Sequence, residues 1–315
     1  MRTLLHKIAA GDDRVTLIPT DRDRLRAQAF LDGRSDFSSG PAIETSLTQW
    51  RASLTQCPTP DRTIFHVGFC GSTLLARLLD VPGQALVLRE PNCLADLANQ
   101  NEDGGVLDLV RRHLRCPWAD GEPVIVKPSN WANSLLREFA ASAEPMLPVF
   151  LHMTRDAFLR AIFRGGDQRI AFAARAAVHL SNGSDRDALL VARALEDDGQ
   201  DGLKLARLAL VLFELQMRLF SDACSAAGWG AERWLTHEEL ADDPFATAKR
   251  AADLLEIEIP VSDVEKNVLC WRSRHAKSPN NEFIPAHEST CNEALSASHG
   301  AVMEAALDWA DTNLG

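Results

Sequence analysis

The chain of 315 residues contains no tyrosine, which excludes any chemistry that depends on a phenol hydroxyl. Its seven cysteines include no Cys-x-x-Cys pair, and an odd number without such a pair argues against both a disulfide framework and a structural zinc site. Positive charge is also scarce, because 33 Lys and Arg residues stand against 44 Asp and Glu residues, a formal net charge of −11. We therefore expect no nucleic-acid partner, since binding a phosphate backbone needs a positive face.

Long apolar runs are missing as well. The N-terminal stretch MRTLLHKIAAGDD lacks the continuous apolar segment of a signal peptide. The longest apolar run, from Leu208 to Phe213, is flanked by Lys204, Arg207 and Glu214 and predicts a buried core helix instead of a membrane span. Together with the unpaired cysteines, these absences predict a cytoplasmic protein with no membrane-spanning segment.

What is present is the mixture of an ordinary globular protein, with 46% hydrophobic and 24% charged residues. Residues 1–60 are polar and mixed. Within them, Thr20-Asp21 predicts the start of a helix that runs through RDRLRAQAFLDG to Gly33, and the linker-like stretches SSGP and CPTPD follow. We expect residues 1–60 to be an N-terminal extension packed on a single main domain of residues 61–315.

From about residue 62, short apolar runs alternate with helical stretches. This alternation predicts an α/β fold of three layers, a parallel sheet with helices on both faces. A helical insertion at about 168–230 is expected to cover the ligand site, with 183–202 as a candidate lid. The predicted strands are Ile64–Val67, Ala85–Leu88, Val124–Val126, Val149–Met153 and Arg233–Leu235. The other predicted helices are Thr73–Leu79, Asn133–Ala143, Ala157–Phe163 and Pro244–Leu255.

Ligands of such sheets bind beyond the carboxyl ends of the strands, so the residues that follow each strand are the candidates. The first strand is followed by a glycine-rich turn into a helix, which directs free backbone N–H groups and the positive helix end at an anion. The spacing is not that of a Walker A loop, and the turn has no lysine. Either the turn binds an anion, or it is a helix cap with no ligand. Its candidate residues are Phe69, Cys70, Gly71, Ser72 and Thr73.

Two charged residues follow the second and third predicted strands. Glu90 is placed to act as a general base beside an anion, or to form an ion pair with Arg89 or another arginine. Lys127 is placed to reach an anion held at the first turn, or to lie on the surface at the end of the sheet. The residues alone leave both pairs of alternatives open.

Two basic stretches lie in this otherwise acidic chain. Residues 155–175 contain five arginines against two aspartates, beginning with Arg155 directly after the fourth predicted strand. The stretch WRSRHAKS contains three cations and no acid, among them Arg274 and Lys277. Such clusters suit phosphate, and a solvated charged face is the alternative. Trp271 opens the second stretch either to stack on a nucleobase or to anchor the loop.

Taken in order, these stretches resemble the sulfotransferase family whose donor is 3′-phosphoadenosine 5′-phosphosulfate. HVGFCGSTLLARLLD is similar to the family's 5′-phosphosulfate loop, and LREP to the position of the catalytic glutamate in the tyrosylprotein branch. MTRDAFLRAIF resembles the 3′-phosphate segment, WLTHEELADDPFATAKRAADLLEI the family's Asp-Pro stretch, and RSRHAKS its closing basic loop. The resemblance covers about residues 62–280.

The resemblance implies a P-loop sulfotransferase-like fold of a divergent bacterial-type branch, which moves a sulfuryl group to a hydroxyl or amine and releases 3′,5′-ADP. It implies that the turn from Phe69 to Thr73 holds the sulfuryl group, that Glu90 takes the acceptor's proton and that Lys127 stabilises the leaving phosphate. The residues that it implies for the 3′-phosphate, the group that separates this donor from ATP, are Arg155, Arg274 and Lys277. No metal is expected, because cationic side chains balance the anion, and the acceptor is expected to be a small molecule or a carbohydrate.

The sequence departs from the family at three positions. Phe69 stands where the family has Arg or Lys, Cys70 where it has the loop serine, and Ala161 near the serine that helps to hold the 3′-phosphate. These departures favour an alternative, a nucleotide-binding or interaction protein without catalysis on the same fold. A phosphotransferase that uses ATP is a further alternative, and the missing P-loop lysine argues against it. The acceptor's identity and the oligomeric state are left open.

Overall fold

The computed structural model of the protein describes residues 2–100, 104–196, 201–272, 274–282 and 285–314. The strands within these ranges are β1 (Arg2–Ala9), β2 (Arg14–Thr20), β3 (Ile43–Ser46), β4 (Asp61–His66), β5 (Leu86–Arg89), β6 (Val124–Lys127), β7 (Met146–His152), β8 (Trp234–Thr236), β9 (Arg274–His275) and β10 (Ser278–Glu282). The α-helices are α1 (Arg22–Ala27), α2 (Leu47–Ser53), α3 (Ser72–Leu79), α4 (Asn92–Ala98), α5 (Gly104–Arg115), α6 (Leu136–Ala141), α7 (Arg155–Arg164), α8 (Gly166–Ser181), α9 (Asp185–Ala194), α10 (Asp201–Ala227), α11 (His237–Asp242), α12 (Pro244–Leu254), α13 (Val261–Arg272) and α14 (Pro285–Asn313).

Five parallel strands form the central sheet, in the order β5-β6-β4-β7-β8. Helices flank this sheet, and every residue of β5 and β6 is buried. Burial on both faces explains why these strands show continuous apolar runs instead of an alternating pattern. The α/β fold predicted from the sequence is confirmed, and all five predicted strands lie in this sheet. Strands β5 and β6 each run one residue further than predicted, to Arg89 and Lys127.

A second sheet lies in the N-terminal region, where the sequence indicated no strands. It is antiparallel and has the order β1-β2-β3. Leu4, Leu5 and Ile8 of β1 are buried. The register of β1 against β2 shifts between Leu5 and Lys7, which interrupts the alternation of buried and exposed side chains by which a strand is recognised in a sequence.

The helix predicted to run to Gly33 is shorter than expected. Its start is as predicted, because the Asp21 side chain accepts the N–H of Arg24 at 2.9 Å and caps α1. The helix ends at Ala27, and Gln28 is already extended, with φ of −73° and ψ of 145°. The early end follows from a tertiary contact that periodicity does not reveal.

That contact is made by Arg89, the last residue of β5, whose side chain is 1% exposed. Its guanidinium donates hydrogen bonds of 2.7–3.0 Å to the main-chain carbonyls of Leu25, Arg26 and Gln28, and pairs with Asp80 at 2.7 Å. Carbonyls that another turn of α1 would need are therefore occupied. We call this set of contacts the Arg89 clasp. It ties the N-terminal region to the central sheet, while the domain boundary near residue 60 stays a prediction.

The helical insertion predicted at about 168–230 consists chiefly of α8, α9 and α10. The run from Leu208 to Phe213 in α10 is buried, as expected of a core helix. Within the described ranges, no helix is both long enough and apolar enough to cross a membrane. In the candidate lid, α9 is held to α10 by an ion pair of 2.9 Å between Asp187 and Arg218, and residues 197–200 lie outside the described ranges.

Candidate functional site

The turn between β4 and α3 carries the first group of candidate residues. Phe69 has a φ of 67° and Gly71 a φ of 85°, and α3 begins directly afterwards at Ser72. A Cβ atom on Gly71 would lie 3.2 Å from Leu240 Cδ2 and 3.3 Å from His237 Nδ1, so both conformation and space require glycine there. The N–H groups of Ser72 and Thr73 have no carbonyl acceptor within α3, whereas that of Leu74 donates to the Gly71 carbonyl at 2.8 Å. This start of the helix lies at the carboxyl edge of the sheet.

The Cys70 side chain does not face this edge. Its thiol is buried and donates to the carbonyls of Val67 at 3.0 Å and Leu151 at 3.5 Å. Burial raises the pKa of the Cys70 thiol to about 11. The Cys70 thiol therefore faces the core, and position 70 can offer a ligand only its main chain. Its contact with a donor stays a prediction. Ser72 and Thr73 are buried at the start of α3.

Phe69 stands where the resembled family has a cation. Two cations from elsewhere in the chain lie against its ring. The Arg169 guanidinium lies 4.8 Å and the Lys277 ammonium 5.3 Å from the ring centroid, both within cation–π range. Phe172 meets the same ring edge-on at 6.1 Å. Arg169 was not among the candidate site residues, and the only sequence signal for it is its place in the basic stretch 155–175.

Glu90 and Lys127 meet at the ends of two neighbouring strands. The register of β5 and β6 places Arg89 opposite Lys127, so Glu90 follows directly beside it. Lys127 Nζ lies 2.7 Å from Glu90 Oε1, and the two side chains are 1% and 16% exposed. Glu90 has a φ of 55°, a conformation that is strained for a residue other than glycine and that often marks functional sites. Lys127 is thus a buried partner of Glu90, and the surface position left open by the sequence is excluded.

A second cation beside Glu90 comes from the N-terminal region. Arg34 Nη2 lies 3.6 Å from Glu90 Oε2, and its guanidinium stacks over the Phe30 ring at 4.0 Å. The Lys277 ammonium also faces the Phe30 ring, at 6.0 Å. Sequence reasoning missed Phe30 and Arg34 because the Arg89 clasp, a tertiary contact, is what carries this segment to the site.

Lys277 lies in the turn between β9 and β10, which brings it close to the other charges. Burial of its ammonium group, followed by the positive charge of Lys127, lowers the pKa of Lys277 to about 8. The residue as a whole remains exposed, so it is the ammonium end that the protein surrounds. The structure thus unites three of the candidate residues, Glu90, Lys127 and Lys277, which we call the charged cluster. Arg274 lies in β9 and is exposed.

Arg155 forms its ion pairs in another direction. Its guanidinium lies 2.8 Å from Asp311 of α14 and 3.6 Å from Glu214 of α10. The sequence could not show this, because both carboxylates come from distant helices. Ala161 is buried, and its carbonyl accepts a hydrogen bond of 2.8 Å from Arg169. Contact between Arg155 and a 3′-phosphate stays a prediction, and it requires these ion pairs to open.

His66, at the end of β4, is a buried core residue and not a candidate base. Its ring nitrogens lie 2.8 Å from the Val67 carbonyl and 3.0 Å from the Pro128 carbonyl. Burial, followed by the charge of Lys127, lowers the pKa of His66 well below its ordinary value. A neutral ring with both nitrogens against main-chain carbonyls has no nitrogen left for a substrate.

Partly buried aromatic side chains extend from the charged cluster along α8. Trp131 stacks on His179 at 4.0 Å and lies at a tilt to Phe172, 6.4 Å away. Phe172 in turn contacts Phe69 of the turn. These rings form an aromatic wall beside the cations, and Phe30 faces Lys277 from the N-terminal region. In the part of the chain that the structure describes, no group of three His, Cys, Asp or Glu side chains is placed to hold a metal ion.

No protein-family model matches the chain, and no curated protein matches its sequence. Among solved structures, it is similar to a sulfotransferase domain from the curacin biosynthetic pathway, with 11% identity, 67% of this chain and 78% of that chain covered, and a TM-score of 0.39. It is also similar to a sulfotransferase from Alicyclobacillus acidocaldarius, with 16% identity, 79% of this chain and 96% of that chain covered, and a TM-score of 0.35. For the sulfotransferase domain of the Synechococcus PCC 7002 olefin synthase, the identity is 15%, the alignment covers 78% of this chain and 88% of that chain, and the TM-score is 0.38. Likeness at this level carries no argument about donor, acceptor or individual residues.

Proposed function

We propose that the protein is a sulfotransferase that moves a sulfuryl group from 3′-phosphoadenosine 5′-phosphosulfate to a hydroxyl or amine. The observation that carries the proposal is the buried ion pair of 2.7 Å between Glu90 and Lys127. It lies at the carboxyl edge of the sheet, beside the glycine-containing turn, with Lys277 close enough to be influenced by both charges. A base and two cations beside the N-terminal end of a helix are groups that transfer of an anionic group requires.

Each residue has a distinct part in this proposal. The N–H groups at the start of α3 and the ammonium group of Lys277 bind the phosphosulfate oxygens. Lys127 carries three N–H donors, so it can hold Glu90 and a donor oxygen at the same time. The charge that develops on the leaving phosphate is balanced by Lys127.

In this proposal the transfer is a displacement at sulfur. The acceptor's oxygen or nitrogen attacks sulfur in line, a new bond to sulfur forms, and the bond between sulfur and the bridging phosphate oxygen breaks. Glu90 takes the proton of the acceptor, and 3′,5′-ADP leaves. The acceptor, a small molecule or a carbohydrate, enters along the aromatic wall, whose ring faces can pack against either.

Two observations favour a second candidate, a protein that binds a nucleotide without transferring sulfate. The turn has Phe69 in place of a cation, and Arg155 is already paired with Asp311 and Glu214. In that case the charged cluster binds an anion and Glu90 serves only as the partner of Lys127.

Transfer of ³⁵S-labelled sulfate to a panel of small-molecule and carbohydrate acceptors tests the proposal. Glu90→Gln is expected to lower turnover ~10²–10⁴-fold, because the general base is lost while the shape is kept. Lys127→Met is expected to abolish transfer. The matched controls are Glu258→Gln and Lys266→Met, which change exposed residues outside the site and keep full turnover.

Calorimetry with 3′,5′-ADP, ADP and ATP separates the alternatives. Binding of 3′,5′-ADP that Glu90→Gln retains, together with loss of transfer, supports the proposed enzyme. Binding of 3′,5′-ADP without turnover on any acceptor supports the non-catalytic alternative. Preference for ATP with phosphoryl transfer would overturn the assignment of the donor.

A further inference from the structure

Two cysteines outside the charged cluster are brought close together through Thr59. Cys57 stands between α2 and β4, and Cys116 directly follows α5. Thr59 Oγ1 bridges this region, because it lies 3.1 Å from Cys57 Sγ and 3.4 Å from the Arg115 carbonyl. The Cys116 thiol donates to the Arg112 carbonyl at 3.1 Å, and each thiol is close enough to influence the pKa of the other.

The surroundings of the two thiols shift their pKa values in opposite directions. Burial raises the pKa of Cys57, but hydrogen bonds from Thr59 and Cys116 and the charge of Arg115 outweigh it, so that the pKa is lowered overall. Burial, assisted by the hydrogen bond with Cys57, raises the pKa of Cys116 to about 12. Arg115 pairs with Glu144 at 2.8 Å and with Asp61 at 3.5 Å, and its charge makes the smallest of the contributions that lower the pKa of Cys57. The thiolate form, which is the nucleophile, therefore belongs to Cys57.

We propose that Cys57 and Cys116 form an oxidisable dithiol, which hydrogen peroxide converts to an intramolecular disulfide. The residue Cys57 is only 7% exposed, so a small oxidant suits it, and Cys116 is partly exposed beside it. This site does not depend on the proposed transferase activity.

The oxidation proceeds in two steps. The Cys57 thiolate attacks one peroxide oxygen, the O–O bond breaks, and the departing hydroxide takes a proton to become water, which leaves a sulfenic acid on Cys57. Cys116 sulfur then attacks the Cys57 sulfur, the S–O bond breaks, and the hydroxide leaves as water with the thiol proton of Cys116. In sum, two thiols and one hydrogen peroxide give one disulfide and two waters.

Other cysteines of the chain provide the comparison. Cys70 and Cys93 are fully buried, and burial raises the pKa of each thiol. Burial also raises the pKa of Cys224. Cys224→Ser is therefore the matched control, a buried cysteine outside the dithiol.

The test is peroxide treatment of the folded full-length protein, followed by denaturing alkylation and non-reducing peptide mapping. The expected result is a cross-linked peptide that joins Cys57 to Cys116, formed equally in wild type and Cys224→Ser and removed by dithiothreitol. Cys116→Ser is expected to accumulate a sulfenic acid at Cys57 that a dimedone-type probe traps. Labelling of Cys224 should be at least ~tenfold slower.

Two results would overturn the proposal. The first is oxidation that joins other cysteines or that reaches Cys224 as fast as Cys57. The second is a wild-type protein that keeps both thiols at peroxide levels that oxidise an exposed model thiol. Because the peptide map uses the wild-type chain, the test holds even where a cysteine variant fails to fold.

Discussion

At the scale of single residues, Lys277 is the side chain of the charged cluster whose charge changes near neutral pH. Its pKa of about 8 means that the ammonium form predominates below that pH and is lost as the pH rises through it. Binding of 3′,5′-ADP should therefore weaken ~tenfold between pH 7 and pH 9, because the phosphates stay ionised while the cation is lost. Calorimetry at the two pH values measures this.

The control for that prediction is Lys277→Arg. An arginine stays charged across the range, so the variant's affinity should be nearly constant from pH 7 to pH 9. Equal pH dependence in wild type and variant would show that Lys277 does not contact the nucleotide.

Gly71 gives a second prediction at this scale. Replacement by alanine puts a Cβ atom 3.2 Å from Leu240 and 3.3 Å from His237, in addition to the strain of a φ of 85°. Gly83→Ala is the matched control, because Gly83 has a φ of 82° and nothing within 4 Å of the added atom. Gly83→Ala should cost about 1–2 kcal/mol in urea unfolding. Gly71→Ala should lower the free energy of unfolding by more than this, and it should also weaken nucleotide binding, because the added Cβ atom displaces the turn at the site. Equal losses of stability in the two variants would contradict the argument from crowding.

At the scale of elements, the Arg89 clasp joins α1 to β5. Arg89→Leu removes four hydrogen bonds to main-chain carbonyls and one partner of the buried Asp80. The free energy of unfolding should fall by about 3–5 kcal/mol, the range found when one partner of a buried ion pair is removed. Urea denaturation measures it, with the exposed Arg51→Leu as control. A loss no larger than that of the control would mean that the clasp adds no stability.

The elements also show what the sequence can and cannot reveal. Strands β4 to β8 were predictable because short buried runs such as VIV carry their own signal. Strands β1 to β3 were not, since the register shift after Leu5 interrupts the alternating pattern. The sequence placed Glu90 and Lys127 at one edge of the sheet, because parallel strands end there. It named an arginine as the ion-pair partner of Glu90, and only the register of β5 and β6 shows that this partner is Lys127. The positions of Arg34 and Arg155 depend on tertiary ion pairs, which no local pattern encodes.

At the scale of the whole molecule, the N-terminal region shares one hydrophobic core with the central sheet. Buried side chains on both sides of residue 60 belong to this core, among them Leu5, Trp50, Phe65 and Leu88. A fragment lacking residues 1–54 would expose the apolar surface that this region covers. We expect it to lose cooperative unfolding in urea, as followed by circular dichroism.

The full-length chain provides the complementary measurement. Hydrogen exchange should show the amides of β1 and β4 protected to a similar degree, since elements that unfold together exchange together. If the fragment instead unfolds cooperatively, at the same urea midpoint as the full chain, residues 1–60 are an extension that the main domain does not need for stability.

The Arg89 clasp has a consequence for how this sequence can vary. Its acceptors on the N-terminal side are main-chain carbonyls, so the clasp specifies the path of the chain at Gln28 without specifying which side chain stands there. Position 28 can therefore accept residues that tolerate the extended conformation, with the loss only of the exposed hydrogen bond of 3.3 Å from the Gln28 side chain to the Asp36 carbonyl. Arg89 and Asp80 have no such freedom, because their side chains are the contact itself. In related chains that keep the Arg89 clasp, we expect Arg89 and Asp80 to be conserved and the residue at position 28 to vary.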